Sequence, residues 1–192
     1  MTTQPPLTPA YFDQLYARDP DPWKFATSSY ERDKYAATLA ALPRPRFARV
    51  FEVGCSIGVL TRQLAGRCDA ILAVDVAEAA LQQAADRCVG LPGVEFARMV
   101  VPQDWPAGAF DLIVFSEVVY YLSATERRVA ARLSIDNLAP GGSVMLVNWH
   151  GPTDGGLTGD VAAEEFLEAC APDLRLVTQH RAERYRLDVL TA

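Results

Sequence analysis

The sequence predicts an α/β fold: a doubly wound, mostly parallel sheet preceded by a helical lid. From residue 50 onward, apolar runs of strand length alternate with stretches of helical periodicity, a pattern typical of β-α-β units with right-handed crossovers. The first apolar run leads into the turn Glu52-Val53-Gly54-Cys55-Ser56-Ile57-Gly58, and the second ends in Asp75. A glycine turn, followed by an acidic residue at the end of the next strand, indicates a nucleotide-type ligand site.

The N-terminal segment predicts two helices. A short helix is expected from Pro9 to Ala17. A second begins at Ser28, which forms a capping box with Glu31, and it ends before Pro43 because proline has no N–H group to continue a helix. The whole chain is expected to be one domain, made of a disordered tail (1–10), a helical lid (11–45) and an α/β core (46–192).

The core is expected to contain seven strands. The fourth is apolar on both faces, as a buried parallel strand must be. A capping box of Ser123 and Glu126 begins the helix after it, and Pro140-Gly141-Gly142 ends that helix. Only a few residues separate the last two apolar runs, so they should pair antiparallel and give the sheet an antiparallel terminal strand. The expected strands are 49–53, 70–76, 94–100, 110–118, 143–149, 174–179 and 185–191, and the expected core helices are 59–67, 77–88 and 125–138.

Composition argues against several classes of partner. The 192 residues carry a formal charge of −6 without blocks of like charge, which disfavours a nucleic-acid backbone, and the late run RAERYR alternates as an exposed strand would. No apolar run is long enough for a membrane span and residues 1–9 lack signal-peptide features, so a cytoplasmic location is expected. The four cysteines lack metal-ligand spacing and predict buried thiols. We expect no metal site, and the sequence defines no oligomeric state.

The glycine turn also indicates the ligand. A dinucleotide fingerprint needs Gly-x-Gly-x-x-Gly, whereas here Ser56 separates Gly54 from Gly58. The carboxylate of Glu52 would repel a pyrophosphate but suits a cationic ligand with an amino group, and S-adenosylmethionine has those charges. The turn resembles the first motif of the class I methyltransferases, acid-x-Gly-x-Gly-x-Gly, with Ser56 as a departure at the middle glycine. That resemblance implies a Rossmann-like methyltransferase fold.

The same resemblance implies a role for residues at the carboxyl ends of the strands, where ligands bind in open α/β sheets. Asp75 should hold the ribose hydroxyls, with Val76 beside the adenine. Met99 and Val100 should complete the adenine pocket, although a core role for Met99 is equally consistent with the sequence. The remaining expected cofactor residues of the turn and of the fourth strand are Glu52, Gly54, Cys55, Gly58 and Ser116.

The segment after the fourth strand is where these enzymes present the acceptor to the methyl group. It contains Glu117, Tyr120 and Tyr121 in place of the Asn/Asp-Pro-Pro-Tyr motif of DNA and protein amide methyltransferases. Glu117 would orient the acceptor or stabilise the ammonium that forms at nitrogen; alternatively it faces the cofactor, and one tyrosine belongs to the core. His150 follows the fifth strand and has either a substrate contact or a structural role. These four residues are the catalytic candidates.

Three segments together resemble the nodulation protein S (NodS) family. They are Asp21-Pro22-Trp23 to Lys34-Tyr35, the turn at 52–58, and Ser116-Glu117-Val118 to Leu122. NodS enzymes methylate the free amino group of a partly deacetylated chitooligosaccharide with S-adenosylmethionine. The resemblance implies that Trp23, Tyr30 and Lys34 lie near cofactor or substrate, with Lys34 or Arg32 pairing with the methionine carboxylate; Trp23 is alternatively an anchor of the lid.

The sequence therefore predicts an S-adenosylmethionine-dependent methyltransferase with an amino-sugar nitrogen as the leading acceptor. The expected partner is a small molecule or an oligosaccharide, with S-adenosylhomocysteine as the product of the cofactor. Two alternatives stay open at this point: O-methylation of a small metabolite, and a non-catalytic S-adenosylmethionine-binding module. A nicotinamide-dependent reductase is disfavoured by the glycine spacing and by Glu52.

Overall fold

The computed structural model describes residues 8–153 and 157–192. The part of the expected tail at residues 1–7 lies outside this range. The strands are β1 (Phe47–Val53), β2 (Cys68–Asp75), β3 (Val94–Arg98), β4 (Phe110–Ser116), β5 (Leu138–Trp149), β6 (Arg175–Arg181) and β7 (Tyr185–Thr191). The helices are α1 (Pro9–Arg18), α2 (Ser29–Ala40), α3 (Val59–Leu64), α4 (Glu78–Arg87), α5 (Ala124–Asp136) and α6 (Gly159–Cys170).

The strands form one sheet in the order β3-β2-β1-β4-β5-β7-β6. β1 to β5 pair in parallel, whereas β7 pairs antiparallel with both β5 and β6. The prediction of a mostly parallel sheet with an antiparallel terminal strand is therefore confirmed. The carboxyl ends of β1, β2, β4 and β5 meet at one edge, and that edge positions the site.

The sheet is buried on both faces because its central strands are apolar throughout. Along β4, Leu112 and Val114 pack into one buried cluster, and Ile113 and Phe115 pack into another on the opposite face. This alternation is what a parallel strand covered by helices on both sides requires. The four cysteines are buried and unpaired, as expected.

Two predicted boundaries were wrong, and one element was missed. The expected tail (1–10) extends too far: α1 begins at Pro9, as predicted for that helix, so Pro9 and Ala10 are helical and Thr8 is the N-cap. The predicted end of α5 at Pro140-Gly141-Gly142 is also wrong, because the helix ends at Asp136 and β5 begins at Leu138, where the Phe110 N–H donates to the Asn137 carbonyl. Finally, α6 was not among the expected elements.

The helix starts were predicted well. Ser123 and Glu126 form the complete capping box of α5. The Ser28 hydroxyl likewise accepts from the Glu31 N–H, but the Glu31 carboxylate turns inward to Lys34 and does not close the box. No helix among the described residues is long and apolar enough to cross a bilayer.

Candidate active site

One cavity of about 490 Å³ opens at the carboxyl ends of the strands. Its volume lies in the range usual for small-molecule sites, about 300–1,000 Å³. The sheet supplies its floor, and the segment from α1 to α2 supplies a wall that includes Trp23 and Tyr30. The predicted site residues that line it are Trp23, Tyr30, Lys34, Gly54, Asp75, Val76, Met99, Val100, Ser116, Glu117, Tyr120 and Tyr121.

The glycine turn is tight because neighbouring side chains leave no room for a Cβ atom. A Cβ at Gly54 would lie 2.2 Å from Val118 Cγ2, and one at Gly58 would lie 2.8 Å from Ala84 Cα. Ser56, at the position of the middle glycine, also has a positive φ of 49°. Its N–H donates to Asp75 Oδ2 at 2.9 Å, and its hydroxyl lies 2.5 Å from the Tyr16 hydroxyl. The serine thus replaces glycine by forming bonds that hold the left-handed conformation.

We expect Gly58→Ala to destabilise the fold by about 2–4 kcal/mol, because φ is +75° there and the new methyl would meet the backbone of α4. Urea denaturation followed by circular dichroism measures this change. Gly66→Ala is the control, since its Cβ would meet nothing within 4 Å. Equal unfolding free energies for the two variants would contradict the steric argument.

Asp75 stands between the turn and the cavity. Its Oδ2 accepts from the Ser56 N–H, and its Oδ1 accepts from the Ala77 N–H at 3.0 Å. Burial raises the pKa of Asp75, although these backbone donors oppose the shift. Each oxygen keeps a further lone pair, so the carboxylate is able to accept from ligand hydroxyls. Val76, Met99 and Val100 continue the wall as an apolar surface.

The cavity wall also contains a buried ionic cluster. The Lys34 ammonium lies 2.5 Å from Glu117 Oε1 and 2.9 Å from Glu31 Oε2, and it is 2% exposed. Burial alone would lower the pKa of Lys34, but the two carboxylates outweigh burial and raise it. With both carboxylates ionised, this Glu31–Lys34–Glu117 cluster has a net charge of −1, which favours a cationic ligand beside it.

Lys34 lines the cavity as predicted, and its ammonium is paired with two protein carboxylates, which disfavours the expected pairing with a ligand carboxylate. The alternative, Arg32, is 73% exposed at its side chain and does not line the cavity. Lys34 instead fixes the position of Glu117. The backbone N–H of Trp149, at 2.7 Å, and the Tyr120 hydroxyl, at 2.8 Å, hold the other oxygen of Glu117.

Glu117 itself has a φ of 60°, which is uncommon for a residue other than glycine. Strained backbone of this kind concentrates at functional sites, where the surrounding contacts maintain it. Burial raises the pKa of Tyr120 well above its usual value, so this hydroxyl remains a donor to Glu117. The Tyr121 ring lines the cavity and packs edge-on against Phe12 at 5.2 Å.

Four predicted residues do not line the cavity. The contacts of His150 favour the structural role over the catalytic one: its Nε2 lies 2.8 Å from the Glu183 carbonyl and its Nδ1 lies 3.6 Å from Asp160, so it fastens the β6–β7 turn. Gly58 faces α4, as described above. Glu52 and Cys55 lie beneath the turn, around a void of about 20 Å³. Burial raises the pKa of Glu52 to about 7.

Sequence reasoning missed several wall residues. Phe12 and Tyr16 are four positions apart on α1 and therefore share one face of the helix. This spacing could have predicted that both aromatic side chains line the cavity. Arg184, in the turn between β6 and β7, had no signal, because only the tertiary fold brings that turn beside Tyr30. Trp149 also lines the cavity, whereas Trp105 packs in the core against Phe51.

The comparisons with known proteins agree with this geometry. The family model for nodulation protein S (NodS) matches residues 8–151. Nodulation protein S of Rhizobium tropici is 33% identical over 128 residues, covering 66% of this chain and 54% of that protein. That of Bradyrhizobium diazoefficiens is 34% identical over 122 residues, covering 62% of this chain and 58% of that protein. The chain thus spans a little over half the length of the curated relatives it matches.

A solved structure gives the same result for the fold. The crystal structure of N-methyltransferase NodS from Bradyrhizobium japonicum WM9, in complex with S-adenosyl-L-homocysteine, superposes with a TM-score of 0.82. The two chains are 27% identical, and the match covers 93% of this chain and 97% of that one. The sheet is therefore that of the class I methyltransferases, and the chain belongs to the nodulation protein S (NodS) family.

Proposed function

We propose that the chain is an S-adenosylmethionine-dependent methyltransferase that methylates the nitrogen of an amino sugar, such as a partly deacetylated chitooligosaccharide. One observation carries this proposal: a single cavity is lined both by the glycine turn with Asp75 and by the Glu31–Lys34–Glu117 cluster. The solved NodS relative, named an N-methyltransferase and bound to S-adenosyl-L-homocysteine, supports it.

The residues present fit the cofactor. Asp75 offers carboxylate lone pairs to ribose hydroxyls, and the apolar surface of Val76, Met99 and Val100 suits adenine. Gly54 also lines the cavity, and because Val118 occupies the place of a Cβ there, the turn presents backbone and no side chain to the ligand. When bound, S-adenosylmethionine supplies a methyl group on a positively charged sulfur, so the donor arrives already activated.

The protein must then align the acceptor nitrogen and balance its charge. Glu117 is held by three donors, so its carboxylate occupies a defined position without reorganisation. From there it accepts a hydrogen bond from the acceptor amine and stabilises the positive charge that grows on nitrogen, which is electrostatic catalysis by a preorganised group. Aromatic rings around the cavity, including Phe12 and Tyr121, exclude water from the reacting atoms.

The charge of the site also supports a small-molecule or oligosaccharide acceptor in preference to a nucleic acid. Three glutamates, Glu31, Glu117 and Glu126, line the cavity, and the chain has a formal charge of −6. A phosphate backbone would approach these carboxylates with like charge, and binders of nucleic acids present basic surfaces instead.

We expect Asp75→Ala to weaken S-adenosylhomocysteine binding about 100-fold, because hydrogen bonds from ribose hydroxyls to a charged acceptor are lost. Isothermal titration calorimetry on the wild type and the variant measures this. Asp69→Ala is the matched control: Asp69 lies at the far end of the same strand and has only an exposed pair with Arg46. Asp75→Asn tests whether the turn survives when one acceptor oxygen is kept.

The second stage of that experiment tests the reaction. Wild-type protein, S-adenosylmethionine and a partly deacetylated chitooligosaccharide should give a product heavier by one methylene group in mass spectrometry. A folded wild type that does not bind S-adenosylhomocysteine would overturn the proposal, as would full affinity in Asp75→Ala.

A further inference from the structure

Two hydrogen-bond donors near the Glu31–Lys34–Glu117 cluster have no strong protein partner. Within the described part of the chain, the Tyr30 hydroxyl is buried and bonds to nothing. Arg184 has one carboxylate within 4 Å among the described residues, Glu183 at 3.9 Å, whose side chain is 89% exposed and therefore well solvated. Both residues line the cavity. Buried donors are normally satisfied, so an orphan that faces a cavity indicates a missing ligand group.

The two donors lie side by side. The Arg184 guanidinium carbon is 5.8 Å from the centre of the Tyr30 ring, and the Lys34 ammonium is 5.5 Å from it. Lys34 is neutralised by Glu31 and Glu117, so Arg184 is the cation of the described cavity wall that remains available to an anion. Burial raises the pKa of Tyr30 to about 12, and its hydroxyl therefore stays protonated at neutral pH.

The sheet order places this pair far from Asp75. Arg184 precedes β7, whose Tyr185 lies opposite Trp149 at the end of β5. Asp75, at the end of β2, is four strands away in the order β2-β1-β4-β5-β7, which corresponds to about 19 Å at the usual strand spacing. The methionyl tail of a cofactor whose ribose is bound by Asp75 is shorter than that span. Tyr30 and Arg184 therefore face the acceptor.

We propose that Tyr30 and Arg184 form a subsite for a carboxylate of the methyl acceptor, so that the preferred acceptor is an amino sugar that also has an acidic group. This inference rests on the proposed function. Trp149 connects the two ends of such an acceptor: its backbone N–H bonds to Glu117, which faces the amine, and its ring packs against the Tyr30 ring at 6.1 Å. A guanidinium beside a neutral phenol is a suitable donor pair for a carboxylate.

Arg184 also lies outside the segment shared with the family. The NodS model matches residues 8–151, which include Tyr30, Glu117 and Trp149, and it ends before the β6–β7 turn. The shared segment thus supplies the amine end of the acceptor pocket, and the turn supplies the cation.

The test compares three acceptors with the same amino-sugar ring: muramic acid, its methyl ester, which is close in shape but lacks the negative charge, and glucosamine, which lacks the acidic side chain. Wild type should have a kcat/KM about 10- to 100-fold higher for the acid than for the ester, mainly through KM. Arg184→Ala should abolish that preference, and Tyr30→Phe should reduce it. Arg175→Ala is the matched control, because Arg175 is exposed at the opposite end of the same hairpin.

Calorimetry separates this inference from the proposed function. S-adenosylhomocysteine should bind wild type and Arg184→Ala equally, and muramic acid should bind the product-saturated wild type but not that variant. Equal rates for acid and ester, or a preference that survives in Arg184→Ala, would overturn the subsite while leaving the methyltransferase intact. A loss of S-adenosylhomocysteine affinity in Arg184→Ala would also overturn it, by assigning the subsite to the cofactor. A wild type that binds no cofactor would instead refute the proposed function itself.

Discussion

Replacing Glu117 by glutamine is expected to lower kcat by at least about 100-fold while S-adenosylhomocysteine affinity changes only a few-fold. Glutamine has nearly the same shape, but it removes the charge that balances a developing ammonium, and losses of one preorganised electrostatic group are typically 100- to 1,000-fold. Lys34 keeps Glu31 as a partner at 2.9 Å, so the variant does not leave that ammonium without a carboxylate.

Two further variants sharpen this experiment. Tyr120→Phe removes one donor to Glu117 without changing its charge, and we expect a smaller loss, about 10-fold, because the Lys34 and Trp149 bonds remain. Glu168→Gln, an exposed change on α6, controls for a general effect of losing one negative charge. Glu117→Gln with normal turnover would show that the carboxylate is a structural partner of Lys34 only.

The position of Glu117 was predictable from the sequence, but its partners were not. Residues at the carboxyl end of an apolar run lie at the ligand edge of the sheet, and this rule located Asp75 and Glu117 correctly in the cavity wall. Lys34 is 83 positions from Glu117 in the chain, and no local periodicity reports on such a pair. The sequence therefore suggested a ligand for Lys34 where the structure has two protein carboxylates.

His150 and Glu52 show a related limit. Both residues stand near the carboxyl end of a strand, which is the ligand edge of the sheet. The His150 side chain nevertheless turns to Asp160, and the Glu52 side chain lies beneath the glycine turn. Strand alternation predicts which face a side chain points to, whereas access to the cavity depends on the loops above. Two missed features, the Arg184 turn and α6, follow the last of the three segments that carried the resemblance, which ends at Leu122.

A second wrong expectation leads to the largest predicted effect on stability. The run RAERYR was expected to alternate as an exposed strand, but Arg186 is 0% exposed. Its guanidinium forms two bonds with the fully buried Asp188, at 2.8 and 3.0 Å, and one with Glu164 of α6 at 2.6 Å. Burial alone would lower the pKa of Arg186, but these carboxylates raise it, so the group stays charged.

Arg186→Met is therefore expected to lower the free energy of unfolding by about 3–5 kcal/mol, because Asp188 would remain buried without its partner cation. Urea denaturation at neutral pH measures this loss. The double variant Arg186→Met with Asp188→Leu should recover most of it, since an apolar pair of similar volume needs no charge compensation.

Arg132→Met provides the control, because Arg132 and Asp136 form an exposed pair on α5 that should contribute less than about 1 kcal/mol. Equal losses in Arg186→Met and Arg132→Met would refute the argument from burial.

If the double variant does not recover the lost free energy of unfolding, the result has a different meaning. It would show that Glu164 and Asp160 depend on Arg186 to hold α6 against β7. Because His150 also contacts Asp160, that result would connect the stability of α6 to the β6–β7 turn that presents Arg184.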